Sequence, residues 1–162
     1  MAAQTLQDKV VLITGGAKNL GGLISRKFAE QGAKLAIHYN SESSKADAEK
    51  TLAEVKALGI DAILLQADLS SIDRIEELFV KTKQHFGGID IAINTVGRVL
   101  KKPIVDTTEA EFDSMSDINS KIAYFFIQSA GRHLNDGGKI CTIVTSLLAA
   151  YTGLYSTYEG LK

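Results

Sequence analysis

Cysteine is almost missing from this chain. Cys141 is the only one in 162 residues, which excludes an intrachain disulfide and a thiolate metal cluster. Neither sign of charge is in excess: 18 Lys and Arg stand against 19 Asp and Glu, with no block of like charges. That balance gives no footing for nucleic acid or an anionic membrane surface. No apolar run approaches the roughly 20 residues of a membrane span, and the opening MAAQTLQDK lacks the apolar stretch of a signal peptide. His38, His85 and His133 are scattered, and no His/Asp/Glu cluster has ligand spacing, so no metal is expected. His85 and His133 are expected at helix C-termini, where their charge is favourable. Cys141 sits in the apolar run KICTIVT and is expected to be an inert buried thiol. What remains, 45% hydrophobic and 23% charged, is the composition of a soluble globular domain, expected in the cytoplasm and able to bury one core.

What is there is an alternation of short apolar runs with longer amphipathic ones. KVVLIT (9–14), KLAIHY (34–39), DAILLQADL (61–69), IDIAIN (89–94) and GKICTIVTS (138–146) read as buried strands. Between them fall four helical patterns. LISRKFAEQG (23–32) carries Leu23, Ile24 and Phe28 at helical spacing, with Gly32 suited to a C-cap. Residues 41–59 form a polar helix with a serine N-cap. Residues 71–88 place Ile72, Ile75, Leu78 and Phe79 on one face, and 117–134 form a long, largely buried helix. Continuous apolar strands alternating with helices predict a parallel sheet covered on both faces. Right-handed crossovers make it a doubly wound, Rossmann-type α/β sheet, strand order 3-2-1-4-5, which binds ligands at its carboxyl ends.

The unusual residues fall at those ends. TGGAKNLGG (14–22) joins the first strand to the first helix. Gly15 allows a tight turn, Gly21 allows close backbone approach, and the helix start offers free N–H groups to a pyrophosphate. Glycine-rich turns are common, but this position after the first strand predicts a dinucleotide site.

TGGAKNLG resembles the TGxxxGxG loop of the short-chain dehydrogenase/reductase family, with Asn19 in place of the middle glycine. Asparagine tolerates the left-handed backbone such a turn needs. ADL (67–69) resembles the family's adenine-binding strand end, and NTVG (94–97) its NNAG, with Asn94 and Gly97 kept. The resemblance therefore implies a nicotinamide site built from Gly15, Lys18, Asn19, Leu20, Gly21, Asp68, Leu69, Asn94 and Gly97. Asp68 has a plainer reading as an N-cap, although Ser70 or Ser71 already fits that role. The second strand ends in HYNSESS with no acid at its end, where an NAD enzyme would hold the ribose hydroxyls. Lys18 could instead reach a 2′-phosphate, with Tyr39, Asn40 and Ser41 as polar neighbours. NADP(H) is expected ahead of NAD(H).

Ser146, Tyr158 and Lys162 are similar to the family's Ser…Tyr-x-x-x-Lys arrangement, and Asn119 matches the Asn that completes its tetrad. The resemblance implies an oxidoreductase that interconverts a carbonyl and an alcohol by hydride transfer. Tyr158 would be the general acid–base and Ser146 would hold the substrate oxygen. Lys162 would favour the phenolate and hold the nicotinamide ribose, and Asn119 would keep a relay water. Thr145 is an alternative to Ser146. Arg98, Leu100, Leu148, Tyr151 and Leu154 are expected to line a site for a moderately apolar carbonyl compound. The likeness runs through the whole chain as a single dinucleotide-binding domain, residues 1–162. The family's usual chain continues with the rest of the last helix, two strands and a substrate-covering loop, so a C-terminal truncation is expected. A homodimer or homotetramer is expected of the full fold. The other reading is a non-catalytic nucleotide-binding or regulatory module.

Overall fold

A computed structural model describes residues 6–162; MAAQT, the start of the stretch read above for a leader, lies outside the described residues. The chain runs β1 (Val10–Thr14), α1 (Asn19–Glu30), β2 (Lys34–Tyr39), α2 (Lys45–Ala57), β3 (Ala62–Gln66), α3 (Ile72–Phe86), β4 (Ile91–Asn94), α4 (Glu109–Met115), α5 (Ile122–His133), β5 (Lys139–Thr142) and α6 (Ser156–Leu161). The five strands make one parallel sheet in the order β3-β2-β1-β4-β5. Register pairs Ile13 with Ile37 and Thr14 with Asn94, so the strands end level along one rim. Among the described residues no helix is long and apolar enough to cross a membrane.

Alternation along each strand divides the apolar side chains between two cores. Leu12, Ala36, Leu65 and Ala92 face α3 and α5, where Phe79 and Phe126 meet with ring centroids 5.2 Å apart. Val11, Ile13, Leu35, Ile37 and Ile93 face α1 and α2. Burial on both faces is why the strands read as unbroken apolar runs. His85 and His133 do close their helices, and His133 pairs with Glu76, which also accepts from Ser129 Oγ at 2.6 Å.

Several expectations need correction. Cys141 is exposed, as is Ile140: β5 is the edge of the sheet, with β4 its one strand neighbour among the described residues. That strand also stops at Thr142, so Ser146 does not close it but opens a short 3₁₀ turn, Ser146–Leu148. The third strand likewise ends at Gln66, before Ala67 and Asp68. The first helix begins at Asn19 rather than Leu23, which puts its N-terminus inside the glycine turn. Leu23 and Ile72 lie on the exposed sides of their helices. The long helix begins earlier than expected, at Glu109, after a Thr108–Glu111 capping box. It also widens into a π turn over Ser116–Lys121. Ser71 is the N-cap of α3, without a side-chain bond.

Candidate active site

The turn after β1 is built on two residues in the left-handed region, Gly15 (φ 69°) and Asn19 (φ 50°). The first suits glycine, and the second is a position that asparagine tolerates. A Cβ on Gly21 would run into the Gly15 carbonyl oxygen and lie 2.9 Å from Thr95 Oγ1, so α1 can start against the turn only with glycine there. Side chains from below hold the turn's carbonyls: Ser25 Oγ donates to Gly16 at 2.8 Å and Thr51 Oγ1 to Ala17 at 2.7 Å. The Gly15 N–H donates to His38 Nδ1 at 3.0 Å, and the other ring nitrogen of His38 stands 2.9 Å from the Ala67 carbonyl. Burial lowers the His38 pKa below the ordinary imidazole value, with the Ala67 bond opposing it.

Across the rim, Asn94 Oδ1 accepts from Thr14 Oγ1 at 2.8 Å and from the Val96 N–H at 3.1 Å. Its Nδ2 is buried without a partner among the described residues. Asn119 is buried in the π turn, a helix defect often found at functional sites. Its amide clamps the Arg98 backbone, accepting from the N–H at 2.9 Å and donating to the carbonyl at 3.0 Å. Lys162 Nζ reaches the Val96 carbonyl at 3.1 Å, and partial burial lowers its pKa below the ordinary lysine value. A Cβ on Gly97 would meet both Lys162 Nζ and Asn119 Oδ1. Gly97 is therefore the space through which Asn119 and Lys162 approach the end of β4.

Tyr158 is half-buried on α6, its ring 6.5 Å from that of Tyr155, while Lys101 Nζ lies 5.8 Å from the Tyr155 ring centre. Ser120 Oγ, in the π turn, donates to the Leu161 carbonyl at 2.7 Å and so anchors the end of α6. Thr145 Oγ1 accepts from the Leu147 N–H at 3.3 Å, which commits that hydroxyl to its own turn, whereas Ser146 is exposed. Among the described residues no hydrogen bond joins Ser146 or Tyr158 to Asn119 and Lys162.

A cavity of about 450 Å³ opens over the ends of β1 to β4. Gly15, Lys18, Tyr39, Asn40, Asp68 and Leu69 of the expected cofactor residues line it. Asn19, Leu20 and Gly21 shape the turn beside it; Ser41 is replaced on the wall by Ser44, and Asn94, Gly97, Tyr158 and Lys162 lie off the wall. Arg98, expected near substrate, lines this cavity and donates to Ser114 Oγ at 2.5 Å. Leu148, Tyr151 and Leu154 are exposed on the surface. Sequence reasoning missed His38 and the α4–α5 wall at Asp117 and Ile118. Lys18 pairs with Asp47 at 3.5 Å, both half exposed, a contact worth little in water. The Ser70 N–H bonds to Asp68 Oδ1 at 3.0 Å and holds that carboxyl below its ordinary pKa.

Residues 15–162 match the family model described as enoyl-(acyl carrier protein) reductase. The chain belongs to the short-chain dehydrogenase/reductase family. A short chain dehydrogenase from Claviceps purpurea is 38% identical over 97% of this chain and 59% of its own length. The hydroxynaphthalene reductase-like protein Arp2 of Metarhizium brunneum is 31% identical over 98% of this chain and 59% of its own. Among solved structures, a protein of Burkholderia cenocepacia described as a dehydrogenase, with bound NADP, is 60% identical. It superposes with a TM-score of 0.95 over 100% of this chain and 62% of its own. A second Burkholderia cenocepacia short-chain dehydrogenase, in complex with NADP, is 31% identical with a TM-score of 0.91. The chain thus spans about three fifths of the length of these relatives.

Proposed function

We propose that this short-chain dehydrogenase/reductase binds NADP(H) and interconverts a carbonyl and an alcohol. The observation that carries the reading is the meeting of Lys162 and Asn119 at Gly97, with Tyr158 one helical turn before Lys162. The residues fit the cofactor. The turn of Gly15–Gly21 presents free N–H groups at the start of α1, and Asn94 Nδ2 is a buried donor with no partner among the described residues. Lys18 on the cavity wall, and no carboxylate at the end of β2, favour the 2′-phosphorylated form, as do the two NADP-bound relatives. When bound, the cofactor supplies or accepts the hydride. Ser146 holds the substrate oxygen, and Tyr158 gives its phenolic proton to the nascent alkoxide or takes it in reverse. The Lys162 ammonium favours the negative charge left on the phenol oxygen and bonds the nicotinamide ribose; Asn119 supports a proton-relay water. A moderately apolar carbonyl compound is the proposed substrate class. A homodimer or homotetramer is the proposed assembly, supported by Tyr124 and Ile127, which stand exposed on α5.

The test is NADPH oxidation with a panel of ketones and quinones. Turnover is expected, reduced about a hundredfold or more in Tyr158→Phe. Equal turnover in that variant overturns the role of Tyr158. NADPH binding with no turnover of any carbonyl favours a nucleotide-binding module, a reading supported by a cavity wall that includes neither Ser146 nor Tyr158.

A further inference from the structure

His38 is 1% exposed and spans two strand ends. Its Nδ1 faces a backbone N–H, which can only donate, so that nitrogen must keep its lone pair. Its Nε2 faces the Ala67 carbonyl, which can only accept, so that nitrogen must carry the hydrogen. The two contacts admit one state, the neutral imidazole protonated on Nε2. A second proton would sit on Nδ1, pointed at the Gly15 N–H.

The peptide that His38 holds is the first of the glycine turn. Gly15 is left-handed, and a Cβ there would lie 2.7 Å from Thr95 Oγ1, so the turn is seated from two sides. The Gly15 N–H is thereby spent on the protein rather than on a ligand, which fixes the first peptide of the turn. We infer that His38 is a positioning residue for the cofactor turn, acting only while its imidazole is neutral, so that proton uptake by His38 and NADP(H) binding exclude one another. The inference rests on the NADP(H) reading above.

The charged or titratable side chains sharing this wall are Lys18 from the turn, Tyr39 from β2, Asp68 after β3, Arg98 after β4 and Asp117 from the π turn. His38 lines the same wall, and its side-chain type alone among these six ordinarily titrates between about pH 5 and 8. Because burial lowers the His38 pKa, the turn is held at neutral pH and released on the acid side of the ordinary value of 6.5.

The experiment measures the NADPH dissociation constant from about pH 8 down to about pH 5 for wild type, His38→Asn and His38→Leu. Long-range ¹H–¹⁵N spectra of the wild-type ring accompany it. The spectra are expected to show a bare Nδ1 and a protonated Nε2 without cofactor. In wild type the dissociation constant should rise by up to about tenfold per pH unit once His38 titrates, as one coupled proton requires. His38→Asn can set an amide oxygen where Nδ1 stood and does not titrate, so its profile should lose that acid rise. His38→Leu leaves the Gly15 N–H buried and unpaired, and should bind about tenfold more weakly than wild type at about pH 8, without the acid rise. A proton on Nδ1, or an acid rise in His38→Asn equal to that of wild type, overturns the inference. If wild type binds no NADPH at about pH 8, the cofactor reading fails and the coupling with it. That result is distinct from failure of His38 alone, in which NADPH binds and the profiles coincide.

Discussion

At the scale of single residues, the glycine turn shows which parts of a site can be read from a sequence. Gly15 and Gly21 were legible because each answers a steric demand that other residues fail: one a positive φ, the other a backbone approach that no Cβ survives. Asn19 was legible for a related reason, since its left-handed backbone is the conformation asparagine tolerates. His38 was not. Its partners lie 23 and 29 residues away, and a lone histidine inside an apolar strand carries no local mark. Gly21→Ala is expected to keep the fold and to weaken NADPH binding about tenfold to a hundredfold, because the new methyl must push the turn away from α1. Fluorescence titration with NADPH, alongside circular dichroism, checks this; unaltered affinity would mean that the turn yields freely.

Elements are legible where periodicity and caps agree, and less so where the backbone departs from a regular helix. β2 has the expected bounds, Lys34–Tyr39. The α4 turns fall outside the expected bounds 117–134 of the long helix, although Thr108 and Glu111 carry the spacing of a capping box. The π turn that presents Asn119 has no such code, since one extra residue in a helical turn leaves the apolar pattern nearly intact. Glu111 ties α4 to the chain ahead of α6. It accepts from Lys102 Nζ at 2.8 and 2.9 Å and from the Thr108 N–H at 2.9 Å, and Lys102 in turn bonds through its backbone N–H to the Leu154 carbonyl at 2.8 Å, ahead of α6. The Lys102 ammonium foremost, then Thr108, lowers the Glu111 pKa from 4.5 to about 2. A carboxylate depressed by folding stabilises the fold above its unfolded pKa and loses that contribution as pH falls through the folded one. The difference in Tm between wild type and Glu111→Gln should therefore be constant above about pH 5 and shrink toward pH 2. A difference independent of pH would show that the carboxylate charge contributes nothing.

For the whole molecule, sheet order was legible because few topologies satisfy short right-handed crossovers between buried parallel strands. The exposure of Cys141 was not legible in KICTIVT itself, because an apolar run reads the same whether or not a neighbour covers it; β5 lies at the sheet edge, with Ile140 and Cys141 exposed. The stability of the assembly rests instead on the two cores, and most heavily on the α3–α5 layer, where Phe79 and Phe126 are both fully buried beneath the sheet. Phe79 also stacks on His133, with ring centroids 5.9 Å apart, so one side chain joins the core to the Glu76–Ser129–His133 cluster between the helices. Neither ring lines the nucleotide cavity. Phe79→Ala should thus cost about 3–5 kcal/mol through lost transfer energy and the cavity left behind. For a chain of this size that corresponds to a Tm lower by about 6–20 °C. NADPH affinity, measured well below the transition, should stay within about threefold of wild type, because additivity holds between sites that share no partners. Calorimetry and fluorescence titration on the same variant check both halves. A large fall in affinity without a fall in Tm would place Phe79 in the binding machinery and overturn this division between core and site.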